Sequence, residues 1–170
     1  MKYLTVALLI FVVTSLAKVD VPINFGIIFC MGACTLVCFT LDRAGVRLRG
    51  IALAAILALC FLMCLHVPSG YLGNFGAYLR LPRQLYDCGW LSWAGFPGPS
   101  FSSGDYYPVI PFVFLYLSGA SYSAARRKDG YASWFMDLHC RPLELVGRHA
   151  LAVYILHQPV LLLLSMLIAR

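Results

Sequence analysis

Charge is what this sequence most lacks. Asp, Glu, Lys and Arg make up 12% of its 170 residues, 61% are hydrophobic, and the mean hydropathy is +0.81. A soluble domain is about a quarter charged and roughly half apolar. The shortfall leaves too little polar surface to cover a soluble globule. Carboxylates are scarcest, seven Asp and Glu against thirteen Lys and Arg, for a net charge of +6. No basic repeat is interleaved with aromatics, so the excess does not point to nucleic acid; membrane proteins gather Lys and Arg on their cytoplasmic side. The apolar runs do not alternate, which argues against a closed barrel. No C-x-x-C pair of zinc or redox form is present, and there is no internal repeat or low-complexity tract.

What is present is a series of continuous apolar runs. At roughly 20 residues per crossing, the chain suits an all-α integral membrane protein of about five transmembrane helices. The expected spans are 3–17, 21–41, 50–67, 106–125 and 146–169, in a single membrane domain over 1–170. The first run lies between Lys2 and Lys18 and also reads as a secretory signal ending in Ser15-Leu16-Ala17. A retained span is favoured because further spans follow at once. Residues 68–105 form an outer loop rich in Gly, Pro, Ser and aromatics. Its composition suggests an ordered cap, with Trp90, Trp93, Phe96 and Phe101 at headgroup level. In the segment 126–145, Tyr131, Trp134, Phe135 and Leu138 recur at helical spacing. That pattern predicts a short interfacial amphipathic helix, ended by Pro142.

Orientation follows from the basic residues. With the amino terminus inside, nine lie on inner segments: Lys2, Arg43, Arg47, Arg49, Arg126, Arg127, Lys128, Arg141 and Arg148. Four lie outside: Lys18, Arg80, Arg83 and Arg170. The excess predicts a cytoplasmic amino terminus and an outer carboxyl terminus.

Seven cysteines include Cys30, Cys34 and Cys38 on one helix face and Cys60 and Cys64 on another. Thiolates at such spacing can hold a soft metal, but small apolar residues packing between helices is the favoured reading. No metal site is expected.

The retained polar groups carry any chemistry. On the inner face, Arg47, Arg49 and Gly50 open span three, and Gly147, Arg148 and His149 open span five. A helix amino terminus offers free N–H groups and a positive dipole end. Together these suit a phosphorylated ligand; the competing reading is anchorage to anionic lipid. On the outer face, His66 ends span three, Asp87 lies in the loop and Asp105 precedes span four. A histidine paired with a carboxylate can serve as general base. The competing readings are a helix cap for Asp105 and an interfacial polar tip for His66. His157 stands mid-run in Tyr154-Ile155-Leu156-His157-Gln158-Pro159. An ionisable group at bilayer depth marks function or a specific polar partner by default. A small transporter is a further reading of His157, but neither an inverted repeat nor a second broken helix accompanies it.

Three stretches carry a resemblance. They are Ile23-Asn24-Phe25-Gly26-Ile27-Ile28-Phe29-Cys30-Met31-Gly32, then Asp105-Tyr106-Tyr107-Pro108-Val109-Ile110-Pro111-Phe112 through Gly119, then Gly147-Arg148-His149-Ala150-Leu151 through His157-Gln158-Pro159. In this order they resemble the membrane acyltransferases typified by heparan-alpha-glucosaminide N-acetyltransferase, bacterial relatives included, over about residues 20–165. The resemblance implies a polytopic helical bundle in a bacterial inner membrane. It implies transfer of an acetyl or acyl group from acetyl-CoA, or another acyl-CoA, to a sugar or glycan on the far side, with no tightly bound cofactor. Arg148, His149 and Arg49 would then face donor phosphates, and Asp105, His157 and, more weakly, His66 would be the catalytic candidates.

One part of the family pattern departs. Family members usually begin with helices carrying an LRGxAixxMxxxH…D pattern, in the amino-terminal half that also holds the catalytic histidine of the characterised enzyme, and no equivalent stands before residue 20. The likeness is therefore to the carboxyl half of the catalytic domain. That leaves a truncated product, a split subunit with an amino-terminal-half partner, a homo-oligomer, or a degenerate copy serving as a non-catalytic subunit or scaffold.

Overall fold

The computed structural model describes residues 25–127 except 75, 130–150 except 132, and 152–157 except 155, together with 164 and 168. Span one, the first residues of span two and much of span five lie outside the described residues. The chain divides into two compact units, Met1–Asp129 and Gly130–Arg170.

The described part of the first unit holds three main helices: α1 (Ile27–Arg43), α2 (Ile51–Cys64) and α3 (Val109–Arg126). They fall on the second, third and fourth apolar runs. Arg43 and Arg126 occupy the last turns of α1 and α3, where a cation complements the helix dipole. Helix α3 packs against both others. Its Val109, Val113 and Leu117 meet Cys30 and Cys34 of α1 in the core, two stripes at four-residue spacing set ridge to groove. Two serines tie α3 to α2: Ser118 Oγ donates to the Ala54 carbonyl at 2.7 Å and Ser121 Oγ to the Gly50 carbonyl at 3.1 Å. Ser121 is fully buried, so its bond removes the cost of an unpaired hydroxyl.

Helix α2 is otherwise different. Ala54 is its one buried residue. The stretch Ile51–Ser69, 19 residues, is the one among the described residues long and apolar enough to cross a membrane.

Residues 65–108 form a cap of turns. A hairpin pairs β1 (Tyr71–Leu72) with β2 (Leu79–Arg80), Tyr71 opposite Arg80 and Leu72 opposite Leu79. Short 3-10 turns follow at Arg83–Leu85 and Gly89–Leu91. Two glycines permit close approaches. A Cβ on Gly73 would stand 2.0 Å from the Ala77 carbonyl oxygen, and one on Gly95 2.7 Å from that of Ile110. Both adopt positive φ, +118° and +134°, which side chains disfavour. Ile110 is extended (φ −94°, ψ 122°), as a residue before proline tends to be. Val109 and Ile110 donate their N–H groups to the carbonyls of Trp93 and Ala94 at 3.0 and 2.8 Å. The aromatics of the cap sort into two sets. Trp90 is 85% exposed, but Phe96 packs on Tyr86 at 5.5 Å, and Phe101 meets Phe25 at 6.0 Å and Tyr106 at 4.8 Å. Phe96 and Phe101 are therefore half-buried in the cap, each against another aromatic ring.

In the second unit, α4 (Ser133–Met136) lies within the stretch expected to be amphipathic, and α5 spans Arg141–Arg148. Pro142 opens α5 rather than closing the helix before it. Proline lacks an N–H and suits a first helical turn. Glu144 in that turn and Arg148 in the last follow the dipole.

Candidate functional site

Asp105 is held by what it caps. Helix α1 has Gly26 at its amino end and no cap from a neighbouring side chain. Asp105 Oδ2 supplies one from 78 residues away, accepting the Ile27 N–H at 3.4 Å. Two further bonds fix the segment that carries it. Tyr107 N–H donates to the Phe25 carbonyl at 3.0 Å, and Ser103 Oγ donates to the Asp105 carbonyl at 3.1 Å. Phe25 adopts φ +55°, a left-handed conformation costing about 1–2 kcal/mol outside glycine. Its ring is clasped by Phe29 at 5.1 Å and by Phe101. A carboxylate at a helix amino terminus is stabilised by free N–H groups and the dipole. The cap expected for the helix that Asp105 precedes is made to α1 instead; α3 has Pro108 at its amino end and no side-chain cap.

Beside Asp105 lies an apolar groove of about 200 Å³ between α1 and α3. Its walls include Ile27, Cys30, Cys34, Tyr107, Phe112 and Tyr116. Cys30 Sγ lies 3.9 Å from Cys34 Sγ and donates to the Pro108 carbonyl at 3.6 Å. Thr35 Oγ1 and the Tyr116 hydroxyl are 3.1 Å apart.

His66 ends the α2 run, as the sequence suggests, but its ring packs edge-on against Tyr78 at 5.6 Å. Among the described residues it makes no ion pair with a carboxylate. Tyr86 and Tyr106, two phenols sequence reasoning did not single out, are tied inside the cap. Tyr106 donates to the Ser92 carbonyl at 2.6 Å, and Tyr86 donates to the Val67 carbonyl. Burial, then the nearby Tyr86, pushes the Tyr106 phenol up to about 12. Burial also raises Tyr86, against a lowering backbone hydrogen bond from Gly70. Both pairings span a run of turns, so no local spacing announced them.

At the opposite end of α2, Gly50 is the cap residue, with no side-chain cap bond. Arg47 and Arg49 stand exposed just before it. Arg49 thus stands directly before the amino terminus of α2.

The second unit holds the other candidates. Arg148 closes α5 and His149 follows as its cap, so the amino end of that helix is at Arg141, not at Gly147. The His149 N–H donates to the Leu145 and Val146 carbonyls, and its own carbonyl accepts Val153 N–H at 3.0 Å. His149 therefore ends one helical segment and opens the next; both it and Arg148 are exposed. His157 Nδ1 is hydrogen-bonded to the Tyr154 carbonyl, and the two rings lie 5.2 Å apart. A carbonyl only accepts, so Nδ1 is the donor in this bond, and Nε2 takes no part in it. Gln158 and Pro159 lie outside the described residues. Asp105, His66 and Arg49 belong to the first unit; Arg148, His149 and His157 belong to the second.

Residues 1–159 match the family described as heparan-alpha-glucosaminide N-acetyltransferase, catalytic. The chain belongs to that family. The match takes in the first apolar run, upstream of the stretches that carry the resemblance, and ends at Pro159. No curated protein and no solved structure matches the chain. Within this N-acetyltransferase-family chain, the matched region holds every candidate: Arg49, His66, Asp105, Arg148, His149 and His157.

Proposed function

We propose that this chain is a membrane acyltransferase that takes an acetyl or longer acyl group from acyl-CoA and delivers it to a sugar across the bilayer. The family match over residues 1–159 carries this reading. In it, the acceptor amine or hydroxyl attacks the thioester carbonyl, the C–S bond breaks, and CoA leaves as its thiolate. The acceptor proton passes to Nε2 of His157, the nitrogen left free by the Nδ1 bond to Tyr154. Asp105 orients the outer end of α1, or acts as an acid/base group within its own unit. Arg148 and His149 in the second unit, and separately Arg49 in the first, are the candidates to attract donor phosphates. The amino terminus lies in the cytoplasm, in a bacterial inner membrane.

The test is acetyl transfer to glucosamine by the purified chain in lipid. We expect His157→Ala to lower the rate by about a hundredfold or more, the usual share of a general base, and Asp105→Ala to lower it less. Transfer that survives both changes intact removes these residues from the site.

A second reading, a non-catalytic subunit or scaffold, is favoured by exposed apolar side chains on α1 and α2, among them Leu36, Phe39, Ile56 and Leu59. These faces would bind other spans: a second copy, or a subunit bearing the amino-terminal family pattern. Co-purification of such a subunit, with transfer only in its presence, would establish a split enzyme. Transfer by the chain alone removes this reading.

A further inference from the structure

The hairpin is folded back on the end of α2. Gly73 N–H donates to the Met63 carbonyl at 2.8 Å, and Asn74 Nδ2 to the Leu62 carbonyl at 3.4 Å. Its turn therefore sits beside the last turn of the apolar helix, where α2 gives way to the 3-10 turn Val67–Ser69. Tyr71 stands opposite Arg80 in the ladder. Tyr78 immediately precedes β2. The Tyr71 and Tyr78 rings meet edge to face at 6.4 Å. Tyr71 and Tyr78 are 43% and 55% exposed, and Arg80 is exposed too.

We propose that this hairpin face, Tyr71, Tyr78 and Arg80, docks on the phospholipid headgroups of the leaflet into which α2 emerges. It rests on the reading that α2 crosses the bilayer. Two observations select lipid as the occupant. The hairpin adjoins the end of α2, through Gly73 bonded to Met63 and Tyr78 packed on His66, and lipid must cover the exposed apolar side chains of that helix if it spans. Its charge also complements the lipid: Arg80 stands among phenols, a cation suited to a phosphate. Tyrosine rings favour the boundary where one edge is apolar and the other wet, and arginine extends from an apolar stem to a phosphate. His66, packed on Tyr78, becomes part of this contact.

The experiment uses the full chain with Trp90, Trp93 and Trp134 changed to Phe and Tyr78→Trp as the single reporter. It is reconstituted in phosphatidylcholine vesicles carrying bromines either just below the headgroup or near the chain ends. We expect blue-shifted emission that loses roughly half its intensity to the shallow bromines and much less to the deep ones. Tyr71→Trp in the same background provides a second reporter should the first fail to fold. Arg80→Ala should weaken the shallow quenching. Leu59→Trp, on the exposed face of α2, tests the underlying reading and should be quenched by deep bromines. Deep quenching at Leu59→Trp with none at either hairpin reporter overturns the docking proposal alone. No quenching at any of the three overturns both. Hairpin reporters quenched more by the deep bromines than by the shallow ones also overturn it.

Discussion

In helix α2 only Ala54 is buried, whereas the cap over residues 65–108 is drawn together by close glycine contacts and by phenols bonded to carbonyls. The helix makes its own backbone bonds and leaves its apolar surface to whatever surrounds it. The cap has little regular structure, so each turn depends on a specific partner elsewhere. Asp105 lies on the cap side of this contrast. Its reach to Ile27 depends on the segment 105–110, which is tied to Phe25, Trp93 and Ala94. The lesson is that a membrane chain can take its scaffold from composition and its site from a few non-local contacts.

The largest effect should come from Gly73→Ala. The added Cβ would stand 2.0 Å from the Ala77 carbonyl oxygen, against backbone that cannot simply step aside. We expect a loss of about 3–4 kcal/mol and collapse of near-ultraviolet dichroism from the cap, with helical far-ultraviolet signal retained. Equal loss of both signals would merge the two regions into one cooperative unit. Gly95→Ala, with 2.7 Å to Ile110, should follow the same course less severely.

The mirror-image change is Leu59→Asp, at a position 55% exposed on α2. It should cost insertion about 3 kcal/mol, read as partition between membrane and soluble fractions. A soluble-protein helix would tolerate it with little change.

Smaller effects sharpen the link between cap and helix. Asp105→Ala should cost about 1 kcal/mol, the worth of a helix cap, measured by thermal unfolding in detergent. Asp105→Asn keeps an acceptor and should recover much of that stability. A transfer defect that persists in Asp105→Asn would separate a chemical role from capping.

A further effect is a pH dependence, felt only in alkali. Tyr106 is raised from 10.0 to about 12 by burial and then by Tyr86, and Tyr86 is raised by burial. A raised phenol means the neutral form is favoured in the folded cap. The contribution is therefore complete below pH 10.0 and lost as pH climbs toward about 12. Tyrosinate absorbance should show late-titrating phenols that move back toward normal in Gly73→Ala.

How much was legible in the sequence follows the same division. The run that forms α2 was readable because nothing but apolar content was needed. The prolines were ambiguous, since one residue type marks both a helix end and a helix start. Pro142 was read as the former and is the latter. Asp105 was recognised by type and by its place before a helix. Its partner was not, because the amide it caps is 78 residues away. His66 was picked for its chemistry, yet its ring sits on Tyr78, a contact created by the hairpin. Thr35 and Tyr116, 81 residues apart, left no local signal at all.

The most direct measurement confines labelled acetyl-CoA to one side of sealed vesicles carrying the chain and offers a glucosamine acceptor on the other. The account predicts labelled acetylated sugar in the acceptor compartment, and little of it with His157→Ala. Sugar that stays unlabelled in the presence of folded protein, or label that crosses equally well without His157, would contradict it.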